Sequence, residues 1–166
     1  FSSISYSILN VNLNSQELDL YEQKIFVIEN DTLNYRILKP LNYDSTKQYP
    51  VHLFLHGAGE RGNDNVSQLV HGSKLFLKKE SREKYNSWVI FPQAPKHDWW
   101  GYKDPYKLNY NVKESKAMSL VVKLMDNFSK RNDVNQNKIY VSGLSMGGMG
   151  TFVILNLRPN MFAAAT

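Results

Sequence analysis

Lys138-Ile139-Tyr140-Val141-Ser142-Gly143-Leu144-Ser145-Met146-Gly147-Gly148-Met149-Gly150-Thr151-Phe152-Val153-Ile154-Leu155 decides how the rest of this chain is read. Lys138 to Val141 is a short apolar run of the buried-strand kind, and Thr151 to Leu155 is an apolar helical segment. Between them lies Gly143-Leu144-Ser145-Met146-Gly147, a G-x-S-x-G. A sharp strand-to-helix turn that lifts one hydroxyl above a sheet requires almost no side chain two places to either side of the serine. Gly143 and Gly147 meet that demand, while Gly148 and Gly150 let the following helix come close to the sheet. Three fixed positions arise by chance in about one chain of this length in twenty. The strand before the motif and the helix after it supply the context that makes it evidence.

The remaining segments extend the same alternation. Lys24 to Lys39 reads as a hairpin turning at Asn30-Asp31, and Val51 to Leu55 as a buried strand that stops at His56-Gly57-Ala58-Gly59. Asn65 to Lys79 has helical spacing with a break signal at Gly72. Trp88 to Phe91 is a further strand ended by Pro92, and Gln93 to Asn111 is a long loop rich in aromatics. Lys113 to Lys130 places Ala117, Val121, Leu124 and Phe128 on one helical face. The helix after Ser145 must end near Pro159, and Met161 to Thr166 begins one more strand. Strands alternating with helices build a mostly parallel sheet covered on both faces, with ligands bound beyond the carboxyl ends of the strands. Three strand tails are therefore the places to search: His56–Gly62, Pro92–Tyr102 and Ser142–Gly148.

Composition narrows the chemistry. A chain of 166 residues, 42% hydrophobic and 21% charged, has the make-up of one globular domain. No apolar run approaches the ~20 residues of a membrane span. The absence of cysteine excludes disulfides, thiolate metal sites and a cysteine nucleophile. The net charge of +5 is spread along the chain, and its densest run, Lys74 to Lys84, is interrupted by Glu80 and Glu83. That is a solvated helix face, with no pattern for nucleic-acid binding. The four histidines lack ligand spacing, there is no HExxH and no phosphate-cradling loop, so the expected chemistry needs no metal and no cofactor.

Acyl transfer through Ser145 requires two N–H donors that converge on the oxyanion of the tetrahedral intermediate. Met146, the residue after the nucleophile, supplies one. The glycine-rich tail after Leu55 supplies the other, from Ala58 in the first place and Gly59 in the second. Trp99 and Trp100, with Tyr102 and Tyr106, are candidates for a substrate wall or for pins holding a long loop to the core. Glu60 and Arg61 are expected to pair and fix the oxyanion loop. His56 is expected to hold that loop by hydrogen bonding, His97-Asp98 to be ordinary loop polarity, and His71 to be structural or surface-facing.

His56-Gly57-Ala58-Gly59-Glu60-Arg61-Gly62-Asn63-Asp64-Asn65, Gln68-Leu69-Val70-His71-Gly72, Phe91-Pro92-Gln93-Ala94-Pro95 and the Ser145 motif together resemble the α/β-hydrolase superfamily. The resemblance is closest to the esterase branch labelled predicted peptidases, near the polyhydroxybutyrate depolymerases and the feruloyl and acetylxylan esterases. It implies a three-layer α/β sandwich and a Ser–His–Asp hydrolase, with Ser145 as nucleophile and Met146 and Ala58 as oxyanion donors. In that family the acid and the histidine follow the serine in the chain. Here His52, His56, His71 and His97 all precede Ser145, and no Asp, Glu or His follows it. The expectation is an N-terminal extension over residues 1–23 and, over 24–166, the N-terminal two-thirds of a single hydrolase domain whose last strands are missing. Such a fragment is expected to be inactive alone and prone to aggregate at its exposed sheet edge. The expected substrate of the full-length form is a small-molecule or carbohydrate-linked carboxylic ester. A serine peptidase of the same fold and a non-catalytic binding protein on a hydrolase scaffold are the alternatives. The compartment stays open, with export, to the periplasm or outside the cell, implied by the resemblance alone.

Overall fold

The computed structural model describes residues 18–102 and 113–166. Its strands are β1 (Tyr21–Ile28), β2 (Asp31–Leu38), β3 (Tyr49–Leu55), β4 (Trp88–Pro92), β5 (Val134–Gly143) and β6 (Ala164–Ala165). They form one sheet in the order β1-β2-β4-β3-β5-β6. The β1–β2 and β2–β4 pairings are antiparallel, whereas β4–β3, β3–β5 and β5–β6 are parallel. The hairpin starts at Tyr21, three residues before the expected Lys24, and turns through Glu29 at φ 55°. Tyr106 and the residues before Leu18 lie outside the described residues.

Alternation within the strands sorts side chains into two layers. Val51, Leu53 and Leu55 of β3, with Trp88 and Ile90 of β4 and Ile139 and Val141 of β5, face one core. Helix α3 (Lys116–Phe128) covers that face with Ala117, Met118, Val121, Leu124, Met125 and Phe128, and helix α4 (Met146–Leu157) adds Met146 and Ile154. The expected apolar stripe of α3 is therefore the buried one. Val89 and Phe91 face the opposite layer, where Phe54, Phe76 and Leu77 pack.

The segment after β3 breaks at Gly72, where the sequence carries its break signal, and differs from expectation on either side. Instead of one helix over 65–79, the chain makes a 3-10 turn at Ser67–Leu69, then short helices α1 (Ser73–Leu77) and α2 (Lys79–Lys84). Gly72 sits at φ 82°, with the Phe54 ring so close that a Cβ would lie 2.6 Å from its tip. A left-handed residue cannot continue a right-handed helix, so the periodic pattern is broken there. Lys78 makes the second break, with extended backbone at ψ 131°.

Helix α3 is anchored twice at its start. Ser115 Oγ accepts from Met118 N at 3.1 Å, and the Asp98 carboxylate accepts from Ala117 N at 2.7 Å. Together they satisfy two of the N–H groups that a helix start leaves without partners. No helix among the described residues is long and apolar enough to cross a membrane.

Candidate active site

β5 runs into the turn that starts α4, and Ser145 stands at its apex with φ 52° and ψ −112°. A residue with a Cβ rarely occupies that conformation, and it persists only where neighbours enforce it. The glycines show how. A Cβ on Gly143 would lie 2.0 Å from Gly147 O, and one on Gly147 would lie 1.8 Å from Leu55 O. Leu144 N donates to Leu55 O at 3.0 Å, which locks the turn to the end of β3. Ser145 is exposed, and its side chain makes no capping bond to α4. Its hydroxyl is thus presented and not absorbed by the helix. Met146 N is the first amide of that helix, at the positive end of its dipole.

The β3 tail lies directly against this turn. Gly57 is buried, and a Cβ there would lie 3.6 Å from Leu144 O. Ala58–Glu60 forms a single 3-10 turn, closed by Glu60 N donating to Gly57 O at 3.4 Å. Ala58 and Gly59 are the exposed part of the loop, and a Cβ on Gly59 would meet nothing within 4 Å. The candidate donors therefore sit on the open side of a loop whose base is fixed.

His56 does the fixing. It is 1% exposed, Ala94 N donates to its Nε2 at 3.0 Å, and its Nδ1 lies 2.6 Å from Gly57 O. Because Nε2 accepts, Nδ1 must carry the proton and donate to the carbonyl. Burial lowers its pKa, which keeps the ring neutral, although the Gly57 carbonyl opposes this. With both nitrogens engaged, His56 is a staple and cannot take a proton from Ser145.

Arg61 is not paired with Glu60. Its Nε donates to Ala58 O at 2.9 Å and its Nη1 reaches Asp98 O at 3.5 Å. Glu60 turns the other way, with Oε1 3.6 Å from His71 Nε2 and Oε2 buried without a partner. Neighbours on a tight turn diverge, which corrects the expectation of a local ion pair.

The remaining loop residues hold the turn to the sheet. Asp64 accepts from Val66 N, Ser67 N and Gln93 Nε2, and the Ser67 hydroxyl bonds its other oxygen. Led by the Ser67 hydroxyl, these donors hold its carboxyl well below the usual range. Asn65, at φ 53°, donates its N–H to Gln93 Oε1, and its carbonyl accepts from Arg36 Nε. Gln93 and Arg36 were not singled out from sequence. Arg36, only 7% exposed in the fold, stands in the sequence as an arginine between Tyr35 and Ile37 of an apolar strand, and that was the available signal.

The β4 tail corrects one expectation. Trp100 is 0% exposed, its Nε1 donates to His56 O at 3.1 Å, and its ring meets the His56 ring edge-on at 5.0 Å. It supports the base of the Gly57–Gly59 loop and offers no wall to a substrate. Trp99 is half-buried and folds over Gly101. Asp98 accepts from Trp99 N as well as from α3, so its carboxylate is engaged by backbone amides.

The fold has counterparts in solved structures. A thermostable esterase matches with a TM-score of 0.81 and 29% identity, over 90% of this chain and 41% of that one. The chain has the α/β-hydrolase fold. A CE1 ferulic acid esterase from Anaeromyces mucronatus matches with a TM-score of 0.59 and 16% identity, over 87% of this chain and 56% of that one. For acetyl xylan esterase from Aspergillus awamori the values are 0.60 and 19%, over 87% and 50%. These two show the fold alone. A model of the prolyl oligopeptidase family matches residues 108–166. A comparison with curated protein sequences finds no match. The chain thus spans less than two thirds of the structures it resembles.

The chain holds a second serine–histidine contact, away from the elbow. His52 Nε2 lies 2.7 Å from Ser142 Oγ, and burial pushes His52 down to about 4. Ser142 is registered opposite Phe54 in the β3–β5 ladder. Extended strand backbone has its amides in the ladder and none to offer an oxyanion, so this pair bridges two strands. His52 also lines a cavity of about 700 Å³ with Leu38, Phe76, Arg82, Val89 and Tyr140. That cavity lies on the Phe76 side of the sheet and includes none of the elbow or oxyanion-loop residues.

Proposed function

We propose that the whole protein is a serine hydrolase of carboxylic esters that works through an acyl-enzyme on Ser145. One observation carries this reading: an exposed serine at φ 52° and ψ −112°, held between two glycine contacts and locked against an exposed Ala58–Gly59 turn. Ser145 Oγ attacks the ester carbonyl, and the negative charge that develops on its oxygen is met by the N–H groups of Met146 and Ala58. Collapse of the tetrahedral intermediate expels the alcohol and leaves the acyl group on Ser145, and water then reverses the sequence.

A serine hydroxyl is a poor nucleophile until a base removes its proton. His56 is bonded at both ring nitrogens, His52 holds Ser142, and no Asp, Glu or His follows Ser145 in these residues. In this reading the base and its orienting acid come from beyond these 166 residues, in keeping with the serine–acid–histidine chain order that the resemblance implies. Trp99 is the aromatic candidate for contact with an acyl group or sugar ring. The ferulic acid and acetyl xylan esterases among the structural relatives favour a carbohydrate-linked ester. The prolyl oligopeptidase match favours a second reading, a peptidase of the same fold.

The test is a panel of acetyl and feruloyl esters and of peptide amides, given to the whole protein and to Ser145→Ala. Ester turnover that falls by at least about a thousandfold in the variant is expected. Preference for amides would select the peptidase. Ester turnover insensitive to the substitution would reject a serine mechanism.

A further inference from the structure

Within a trans peptide, the carbonyl and the following N–H lie in one plane and point in opposite directions. No cis peptide occurs among the described residues. Whatever holds Gly57 O therefore aims Ala58 N–H, and whatever holds Ala58 O aims Gly59 N–H. The loop has a separate side chain for each. His56 Nδ1 lies on Gly57 O at 2.6 Å, and Arg61 Nε on Ala58 O at 2.9 Å.

We propose that Arg61 is a positioning residue of the oxyanion site, which grips the Ala58 carbonyl and so presents the Gly59 N–H as a further oxyanion donor beside those of Ala58 and Met146. Two observations support this beyond the bond itself. Gly59 is exposed and the space where its Cβ would stand is open, so a substrate oxygen can approach its backbone. Arg61 is also braced from the other side by the Asp98 carbonyl at 3.5 Å, whose side chain in turn holds the start of α3. The guanidinium thus ties the oxyanion loop to a rigid helix. A charged donor on the carbonyl also polarises the peptide, which strengthens the N–H at its far edge. The inference rests on the serine-hydrolase reading above.

The test compares Arg61→Ala and Arg61→Lys with Arg82→Ala in the whole protein. Arg82 makes a similar guanidinium–carbonyl bond of 2.8 Å to Lys39 O, near the far end of β4. Misdirecting one donor costs less than deleting it, so kcat in Arg61→Ala should fall about 10- to 100-fold with KM within about threefold. Affinity for phenylboronic acid, whose serine adduct carries a tetrahedral oxygen in the same site, should fall in parallel. Added guanidinium should restore part of kcat in Arg61→Ala, Arg61→Lys should retain most of it, and Arg82→Ala should match the parent. A raised KM at unchanged kcat would overturn the proposal, because Arg61 would then touch substrate directly. Unchanged kinetics in Arg61→Ala, with turnover abolished in Ser145→Ala, would sink this inference alone. Turnover that survives Ser145→Ala would sink the serine-hydrolase reading with it.

Discussion

Gly147→Ala and Gly59→Ala are the same chemical change at two positions where the structure demands opposite outcomes. A Cβ on Gly147 would lie 1.8 Å from Leu55 O, 2.5 Å from Leu55 C and 2.9 Å from His56 O, against the 3.4 Å at which ordinary contact begins. All three neighbours are backbone, so no side chain can swing aside. The elbow and the β3 tail would have to part by more than an ångström, breaking the Leu144 N to Leu55 O bond of 3.0 Å. Overpacking of this kind costs about 1–3 kcal/mol or more, and the lost bond adds about 1 kcal/mol. Gly147→Ala should therefore lose about 2–4 kcal/mol in urea unfolding and move Ser145 away from the oxyanion loop. Gly59 meets nothing within 4 Å, and its φ is one that alanine tolerates. Gly59→Ala should keep stability within about 0.5 kcal/mol or gain slightly from a less flexible unfolded chain. Equal stabilities for the two variants would refute the account of how the elbow is held.

Stability should fall as pH drops from about 6.5 to about 4, by up to about 3 kcal/mol, because the folded protein keeps His52 neutral while the unfolded chain protonates it. The sign follows from the lowered pKa: the contribution is complete above the unfolded value and lost on the way down to the folded one. His56 acts in the same direction, and His52→Gln should flatten the slope in pH-dependent unfolding. Asp98→Ala removes an acceptor from the first turn of α3 and should cost about 1–2 kcal/mol by thermal unfolding, whereas His97→Ala should be neutral there. His56→Phe leaves Ala94 N without its acceptor in a buried site and frees the Gly57 carbonyl. It should lose about 2–4 kcal/mol in unfolding and lower kcat more than it raises KM.

What the sequence revealed and what it hid follow from the range of the forces involved. The elbow was legible because its requirement is local: Gly143 and Gly147 stand where a Cβ would strike backbone. The stripe of α3 was legible because Ala117, Val121, Leu124 and Phe128 repeat at helical spacing on the face that is buried. The break at Gly72 was signalled by the glycine itself, whereas the second break, at Lys78, has no glycine or proline to announce it. β5 begins at Val134 and not at Lys138 because Asn135, Gln136 and Asn137 are polar, exposed or half-buried and still carried in the strand. Trp100 could be read as a substrate wall or as a pin for a long loop, and His56 O, by giving its indole a partner, permits the full burial of a pin. Glu60 and Arg61 are adjacent in sequence and divergent in space, a distinction that requires the 3-10 turn to be seen.

The central claim is that Ser145 is the nucleophile, and its most direct test is covalent. The whole protein is treated with a fluorophosphonate, digested, and mapped by mass spectrometry alongside residual ester turnover. One adduct, on the peptide carrying Ser145, with turnover lost in proportion to labelling, is the expected result. Labelling at Ser142 or elsewhere, or full turnover by protein modified at Ser145, would contradict it.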